Sequence, residues 1–259
     1  MISKKLKMTA FSLTAGFILW VGLSPRASQL VFNSILMPRC RSEHADIIKT
    51  VSASTVLISV KSGTGDLPAH LCINPESDKL IVYFAGRLSN VEKAWARAQA
   101  LVATGASVLF GEYTGFGDTG GHASLRSLLQ DGLALFDATA TLGFAPEEII
   151  LYGESLGTAV ATHVAAQRQI AGLVLQSGFS SLEAQVKDLV PPMRLYPRCL
   201  FPKPEMSSAK NLQQGHPPLL IIHGENDGVV NVKHAEKLAE AAGAQTELLV
   251  LPGAHHADL

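Results

Sequence analysis

The fold is decided by the segment Ile149-Ile150-Leu151-Tyr152-Gly153-Glu154-Ser155-Leu156-Gly157, in which an apolar run meets a Gly-x-Ser-x-Gly pentapeptide. The apolar run predicts a strand, and the alanine-rich stretch Thr158–Ala166 after it predicts a buried helix. A serine between such a strand and helix lies on a sharp turn that holds its hydroxyl out at the edge of a sheet. The flanking glycines leave room for neighbouring backbone where a Cβ would not fit. The segment therefore makes Ser155 a candidate nucleophile.

Strands and helices alternate on both sides of this segment. Patterns typical of strands lie at Val56–Val60, Leu67–Ile73, Leu80–Phe84, Ser107–Phe110, Glu148–Tyr152, Gly172–Leu175, Leu219–Ile222 and Glu247–Leu251, and helical patterns at Val91–Ala103, Leu125–Leu142, Leu156–Gln167 and Val232–Ala242. This alternation predicts an α/β fold with a mostly parallel eight-stranded sheet and helices on both faces. Ligands bind such sheets beyond the carboxyl ends of the strands.

The stretch between Gln176 and Pro218 breaks the pattern, because its periodicity fails and several prolines appear. It is too short for a large lid domain. We expect a short cap segment that forms one wall of the pocket.

Two further polar residues follow strands, as Ser155 does. Asp227 ends the segment His223-Gly224-Glu225-Asn226-Asp227 after the seventh strand, and His256 follows the last strand in Pro252-Gly253-Ala254-His255-His256. A serine hydroxyl is a poor nucleophile that needs an imidazole to take its proton, and the imidazole needs a carboxylate to orient it. The three residues are therefore candidates for one catalytic constellation.

These segments resemble the α/β-hydrolase superfamily, and within it the small, often N-terminally membrane-anchored serine hydrolases related to the α/β-hydrolase-domain proteins. The resemblance covers roughly residues 51–259. It rests on Tyr113–Gly121, which is similar to the family's Tyr-Arg-Gly-Tyr-Gly-x-Ser-x-Gly loop, and on Gly153–Gly157, His-Gly-x-x-Asp at Asp227 and the terminal Pro-Gly-Ala-x-His. It implies an α/β-hydrolase catalytic domain over 51–259, with Ser155, Asp227 and His256 as a triad in the family's chain order.

Because His255 and His256 are adjacent, residue spacing alone does not show which of them is the general base. The family pattern Gly-Ala-Gly-His-Asn-Asp matches His256 to the base and replaces a glycine with His255. Asp118 and Asp258 are competing acids, but neither follows the penultimate strand. The resemblance favours Asp227 and His256.

An acyl-transfer enzyme also needs backbone amides that stabilise an oxyanion. The first is the amide of Leu156 at the start of its helix. The second is expected after Phe84, where related enzymes carry His-Gly-Asn and this chain has Ala85-Gly86-Arg87. Gly86 keeps the backbone flexible, so the amide of Arg87 can serve.

Four residues are candidate substrate contacts, namely Gly86, Arg87, Tyr113 and Phe116. The guanidinium of Arg87 has two interpretations: a solvated or ion-paired loop residue, or a group at the pocket mouth that binds an anionic part of the substrate. The two aromatic residues have a packing interpretation as well.

Composition limits the kinds of partner and cofactor that the chain can bind. With 259 residues, 47 % hydrophobic content and a net charge of −1, the chain can bury a large core and is not suited to binding nucleic acid. Its histidines and carboxylates show no metal-ligand spacing, so we expect no metal or other cofactor.

Residues 1–25 combine Lys4, Lys5 and Lys7 with the uncharged run Met8–Leu23, which predicts a signal anchor, or alternatively a cleaved signal peptide. Residues 26–50 would form a juxtamembrane segment. The lysines would stay cytoplasmic, which places the catalytic domain on the extracytoplasmic side, or secretes it if the signal is cleaved. Among the three cysteines, a Cys40–Cys199 disulfide is possible in an exported domain.

The sequence thus favours a membrane-anchored serine hydrolase that cleaves an ester or thioester of a small-molecule or acylated substrate through an acyl-enzyme. The departure at Ala85-Gly86-Arg87 keeps one alternative from another class, a membrane-tethered, non-catalytic binding module that retains the hydrolase fold. Peptidase or peroxidase chemistry on the same fold is a third possibility.

Overall fold

A computed structural model describes residues 55–63, 65–87, 91–117, 119–256 and 258. Its strands are β1 (Thr55–Ser62), β2 (Gly65–Cys72), β3 (Leu80–Phe84), β4 (Ser107–Gly111), β5 (Ile149–Glu154), β6 (Gly172–Gln176), β7 (Leu219–Gly224) and β8 (Thr246–Leu251). Its α-helices are α1 (Val91–Val102), α2 (Leu125–Asp137), α3 (Leu156–Ala165), α4 (Leu182–Leu189), α5 (Ser208–Leu212) and α6 (Lys233–Ala242). The signal-anchor and juxtamembrane predictions, Asp118 and Cys40 fall outside the described residues.

The strands form a single eight-stranded sheet in the order β1-β2-β4-β3-β5-β6-β7-β8. The β1–β2 and β2–β4 pairs are antiparallel, and every other pair is parallel. The predicted fold class is confirmed. Because β3 to β8 run in one direction, the loops after them gather at one edge of the sheet, which is where Ser155, Asp227 and His256 lie.

Helices pack on both faces of the sheet. The larger apolar cluster joins the sheet to α2, α3, α5 and α6, with Phe84, Leu151 and Ile221 fully buried. On the other face, α1 packs its Trp95 against a cluster that includes Tyr83 and Phe110. Helix α3 is buried almost all round, as its uncharged composition predicts. The nucleophile turn is therefore supported from below by a packed helix.

The predicted helix over Leu125–Leu142 ends early as an α-helix. It stops at Asp137 and continues as a 3₁₀ turn over Ala138–Leu142. In this turn the hydroxyls of Thr139 and Thr141 each donate, at 2.7 Å, to the carbonyl three residues earlier. Hydroxyls that bind local carbonyls compete with the regular helix, and hydrophobic periodicity does not report that competition.

The stretch 177–217 contains two α-helices, α4 and α5, that the sequence analysis did not predict. Ser181 and Ser207 cap them, accepting hydrogen bonds from the amides of Ala184 at 3.1 Å and Lys210 at 3.3 Å. Both helices are short and the prolines between them mask their apolar spacing. In the part of the chain that the structure describes, no helix is both long and apolar enough to cross a membrane.

Candidate active site

The turn at Ser155 joins β5 to α3 in a backbone conformation that side chains rarely adopt, with φ at 52°. Its amide donates to the Gln176 carbonyl at 2.9 Å, which fixes the turn against β6. A Cβ on Gly157 would lie 1.9 Å from the Phe84 carbonyl oxygen, and one on Gly153 would lie 2.6 Å from the carbonyl oxygen of Gly157. Only glycine fits at both positions, so the pentapeptide is a steric requirement of this turn.

Three side chains that are distant in sequence meet above this turn. Ser155 Oγ lies 3.1 Å from Nε2 of His256, and Nδ1 of the same ring lies 2.7 Å from Oδ2 of Asp227. A carboxylate accepts hydrogen bonds only, so Nδ1 carries the proton and donates to it. That tautomer leaves the lone pair of Nε2 facing the serine hydroxyl. The arrangement can therefore remove a proton from Ser155.

The carboxylate of Asp227 is held on both oxygens. Its Oδ1 accepts from the amides of Val229 and Val230, each at 2.8 Å, and its side chain is fully buried. Burial by itself raises the pKa of Asp227, but hydrogen bonds from His223, His256 and the two amides outweigh it and hold that pKa well below its usual range. Asp227 is thus a charged, immobile acceptor for the imidazole.

The structure distinguishes the two adjacent histidines. The exposed side chain of His255 lies with Nδ1 3.0 Å from the Asn226 carbonyl oxygen, away from the serine. Asp258 accepts from the His255 amide at 2.8 Å. Only His256 of the pair contacts both Ser155 and Asp227, and among the described acids it is Asp227 that binds its ring.

Two backbone amides near the serine are the candidates for an oxyanion hole. Leu156 is the first residue of α3, where amides have no acceptor within the helix and the helix dipole favours negative charge. Gly86 lies against the nucleophile, since a Cβ built on it would be 3.3 Å from the Ser155 Cβ. The peptide that follows Gly86 carries the amide of Arg87, a half-buried residue at the end of the described stretch 65–87. The oxyanion hole formed by the Leu156 and Arg87 amides stays a prediction.

Tyr113 and Phe116 are buried rather than exposed on an open pocket wall. They contact each other edge to face at 5.6 Å and, with Ala85 and Gly86, line a cavity of about 20 Å³ beside the turn. Burial, and then the nearby charge of Asp131, raises the pKa of the Tyr113 phenol. Their packing role is visible, and a substrate contact through this small cavity stays a prediction.

A cavity much larger than the one beside the turn is remote from this chemistry. It measures about 490 Å³ and is lined by residues that precede β5, β6 and β7, such as Glu147, Ile170 and Pro217. The amino ends of these strands lie at the opposite edge of the sheet from Ser155. Size alone therefore does not identify the functional site.

Two supporting contacts escaped the sequence analysis. Asp131, buried on α2, accepts from the Ser62 hydroxyl at 2.6 Å and from the Thr114 amide at 2.7 Å, and so fixes the loop after β4. Glu154, next to the nucleophile, accepts from the Tyr83 hydroxyl at 2.6 Å. An acid in the middle of an apolar helix face was the available signal for Asp131, whereas nothing in the sequence pairs Tyr83 with Glu154.

Comparison with known proteins agrees with this fold. A family model described as serine aminopeptidase, S33, matches residues 75–210, a little more than half of the chain. The fold and site define an α/β hydrolase of the serine-hydrolase type. The chain belongs to the serine aminopeptidase S33 family within that superfamily.

Individual relatives are more distant. An uncharacterized protein of Mycobacterium tuberculosis is 36% identical over 162 residues, covering 62% of this chain and 57% of that protein. Alpha/beta hydrolase domain-containing protein 17C of Homo sapiens is 31% identical over 150 residues, covering 57% and 43% respectively. The chain spans about half the length of the curated relatives it matches. A solved esterase of Pyrococcus furiosus superposes with a TM-score of 0.65 at 20% identity, over 85% of this chain and 88% of that one.

Proposed function

We propose that this protein is a serine hydrolase that cleaves an ester or thioester of a small-molecule or acylated substrate through an acyl-enzyme. The observation that carries the proposal is the contact chain from Asp227 through His256 to Ser155, on a strained turn at the carboxyl edge of the sheet. The turn holds the hydroxyl out at the edge of the sheet, where the imidazole can take its proton.

In the proposed reaction, Ser155 Oγ attacks the carbonyl carbon while its proton passes to Nε2 of His256. The imidazolium is stabilised by the Asp227 carboxylate, which stays ionised throughout. The tetrahedral oxyanion accepts hydrogen bonds from the amides of Leu156 and Arg87.

The tetrahedral species then collapses and the bond from carbon to oxygen or sulfur breaks. The departing alcohol or thiol takes the proton held on Nε2. A water molecule attacks the acyl-enzyme with the same base, releases the acid and restores the serine. The atoms and protons balance without any cofactor.

Labelling of the full-length protein with a fluorophosphonate probe tests the proposal. Wild type should label at Ser155, and Ser155→Ala should not label and should lose about 10⁴-fold or more in turnover. Ser177→Ala is the matched control, because Ser177 also has a positive φ, of 51°, and is buried, yet its hydroxyl has no hydrogen-bond partner among the described residues. An unlabelled wild type would instead support the non-catalytic binding module.

A substrate panel defines the class. Esters and thioesters of increasing acyl length measure the size of the acyl site, and an aminoacyl p-nitroanilide tests amide cleavage, which the name of the matched family suggests. Arg87→Ala should lower kcat/KM for anionic acyl esters more than for neutral ones if the guanidinium binds a substrate anion. Equal effects on both would leave Arg87 with only its backbone role.

Membrane attachment through residues 1–25 remains part of the proposal and rests on Lys4, Lys5 and Lys7 before the uncharged run Met8–Leu23. An extracytoplasmic catalytic domain follows from the same charges. Carbonate extraction of membranes from cells that make the full-length chain, with protease protection of the catalytic domain, measures both properties.

A further inference from the structure

His223 is a buried histidine that the proposed mechanism does not use. It lies near the end of β7, next to Val250 of β8, and is fully buried. It is the first residue of the His-Gly-x-x-Asp segment that ends at Asp227. Its place in the fold puts it directly behind the proposed catalytic acid.

The contacts of the ring define its tautomer. Nε2 of His223 lies 2.8 Å from the Val230 carbonyl oxygen and 3.4 Å from Oδ2 of Asp227. A carbonyl and a carboxylate both accept, so Nε2 carries the proton; it donates to the carbonyl, and the carboxylate oxygen lies on the same side of the ring nitrogen. Nδ1 has no hydrogen-bond partner among the described residues, which is consistent with an unprotonated nitrogen there.

We propose that His223 is a positioning residue: its Nε2–H fixes the Asp227 carboxylate and shares the oxygen that binds His256. The proposal rests on the proposed function, in which Asp227 orients the base. His223 and His256 both contact Oδ2 of Asp227. The Val229 and Val230 amides on Oδ1 prevent the carboxylate from rotating away from the two rings. The carboxylate is thus held at both oxygens, and its charge is divided between two imidazoles.

The consequence concerns how strongly His256 holds a proton. A second donor on Oδ2 reduces the negative charge that this oxygen presents to His256. Without that donor, the two amides would still retain the carboxylate, and Oδ2 would stabilise the imidazolium form of His256 more strongly. We therefore expect the loss of His223 to move the titration of His256 to higher pH and to make proton return to the leaving group harder.

One other titratable group among the described residues interacts with His223. On α6, His234 lies close enough to interact electrostatically; burial lowers the pKa of His234, although Asp188 opposes that effect. Nδ1 of His234 accepts from the Ser180 amide at 3.2 Å, so Nδ1 carries no proton and the His234 ring is neutral. Among the described residues, Asp227 is the acid that forms an ion-pair contact with His223.

Nitrogen NMR of the full-length protein tests the assignment without a substrate. In wild type, His223 should remain the Nε2–H tautomer while His256 titrates. In His223→Leu, the midpoint for His256 should rise by about 0.5 pH unit or more. In His223→Gln, whose amide can donate in the same direction, the midpoint should stay near wild type.

His70→Leu is the matched control, because His70 is also buried in the sheet, on β2, where it stacks on Phe110 at 5.1 Å. It should leave the His256 midpoint unchanged. An Nδ1–H tautomer at His223, an unchanged or lower midpoint in His223→Leu, or an equal shift in His70→Leu would overturn the proposal. If His223→Leu does not fold, His223→Asn, whose shorter amide does not reach Asp227, replaces it.

Kinetics separate this proposal from the proposed function. If the protein hydrolyses esters, the acid limb of kcat/KM should move with the NMR midpoint, and kcat of His223→Leu should fall about tenfold. If wild type hydrolyses nothing, the proposed function fails, while the tautomer and midpoint still decide whether His223 positions Asp227.

Discussion

Replacement of Asp227 by asparagine tests the candidate site most directly, because the change keeps the shape of the side chain and removes its charge. Four N–H groups face the Asp227 carboxylate: the Val229 and Val230 amides at Oδ1, His256 at Oδ2 and, 3.4 Å from Oδ2, Nε2 of His223. An asparagine has one acceptor oxygen and a donating amide group. No orientation of that side chain satisfies all four donors.

The magnitude follows from the orientation that conflicts least. If the asparagine oxygen keeps the two amides, its NH₂ faces His256 and forces Nδ1 to accept, which places the ring proton on Nε2, opposite Ser155. The base is then in the wrong tautomer, and kcat should fall about 10⁴-fold. Loss of charge-assisted hydrogen bonds in a buried site should also lower the free energy of unfolding by on the order of 3 kcal/mol.

The assay is the steady-state hydrolysis of a short p-nitrophenyl ester, together with urea unfolding of the same samples. Asp258→Asn is the control, since Asp258 accepts from the His255 backbone amide and contacts neither Ser155 nor the His256 ring among the described residues; it should keep kcat within about twofold. A folded Asp227→Asn protein that retained more than a tenth of wild-type kcat would refute the assignment of Asp227 as the partner of the base.

Three further predictions concern stability and can be measured by urea unfolding. Gly157→Ala should cost about 3 kcal/mol or more, because its Cβ would lie 1.9 Å from the Phe84 carbonyl oxygen, whereas Gly63→Ala, with open space around it, should change stability by less than about 0.5 kcal/mol. Asp131→Leu should cost about 2–3 kcal/mol because a buried amide loses its acceptor, and Asp131→Asn should cost under about 1 kcal/mol because an amide oxygen can replace it. The pKa of Asp227 is depressed in the folded state, so the ionised carboxylate stabilises the fold above its unfolded pKa, and this stabilisation is lost as pH falls below about 5. Asp227→Asn should therefore flatten the acid side of the plot of unfolding free energy against pH. An unchanged acid side would contradict the depressed pKa.

Much of the fold follows from local pattern. Each predicted strand is present. Continuous apolar runs such as Leu80–Phe84 have no solvated face and suit the middle of a covered sheet. The two glycines around Ser155 also had a local physical reason, a backbone too close for a Cβ. Asp227, His256 and Ser155 each follow a strand of a parallel sheet. That was sufficient to predict that they lie at the same edge of the sheet.

Other features depend on partners that a linear pattern does not reveal. The helix α4 forms where prolines follow it, and its Gln185 donates to the Val229 carbonyl at 2.7 Å, which joins the cap segment to the loop of Asp227. The contact between His223 and Asp227 depends on how β7, which carries His223, lies against the loop that follows it and carries Asp227. Such contacts arise from tertiary packing, and residue spacing alone contains no measure of them.

The left-handed backbone at Ser155 has an implication for how this protein can change. Glycine adopts that conformation at little cost, so a chain that no longer needed the hydroxyl would gain stability by replacing the serine with glycine. Alanine would keep the strain and remove the chemistry, which makes the two replacements differ in folding free energy although both abolish attack. A serine at position 155 therefore gives a lower free energy of unfolding than glycine would, and what the chain gains from it is the nucleophilic hydroxyl.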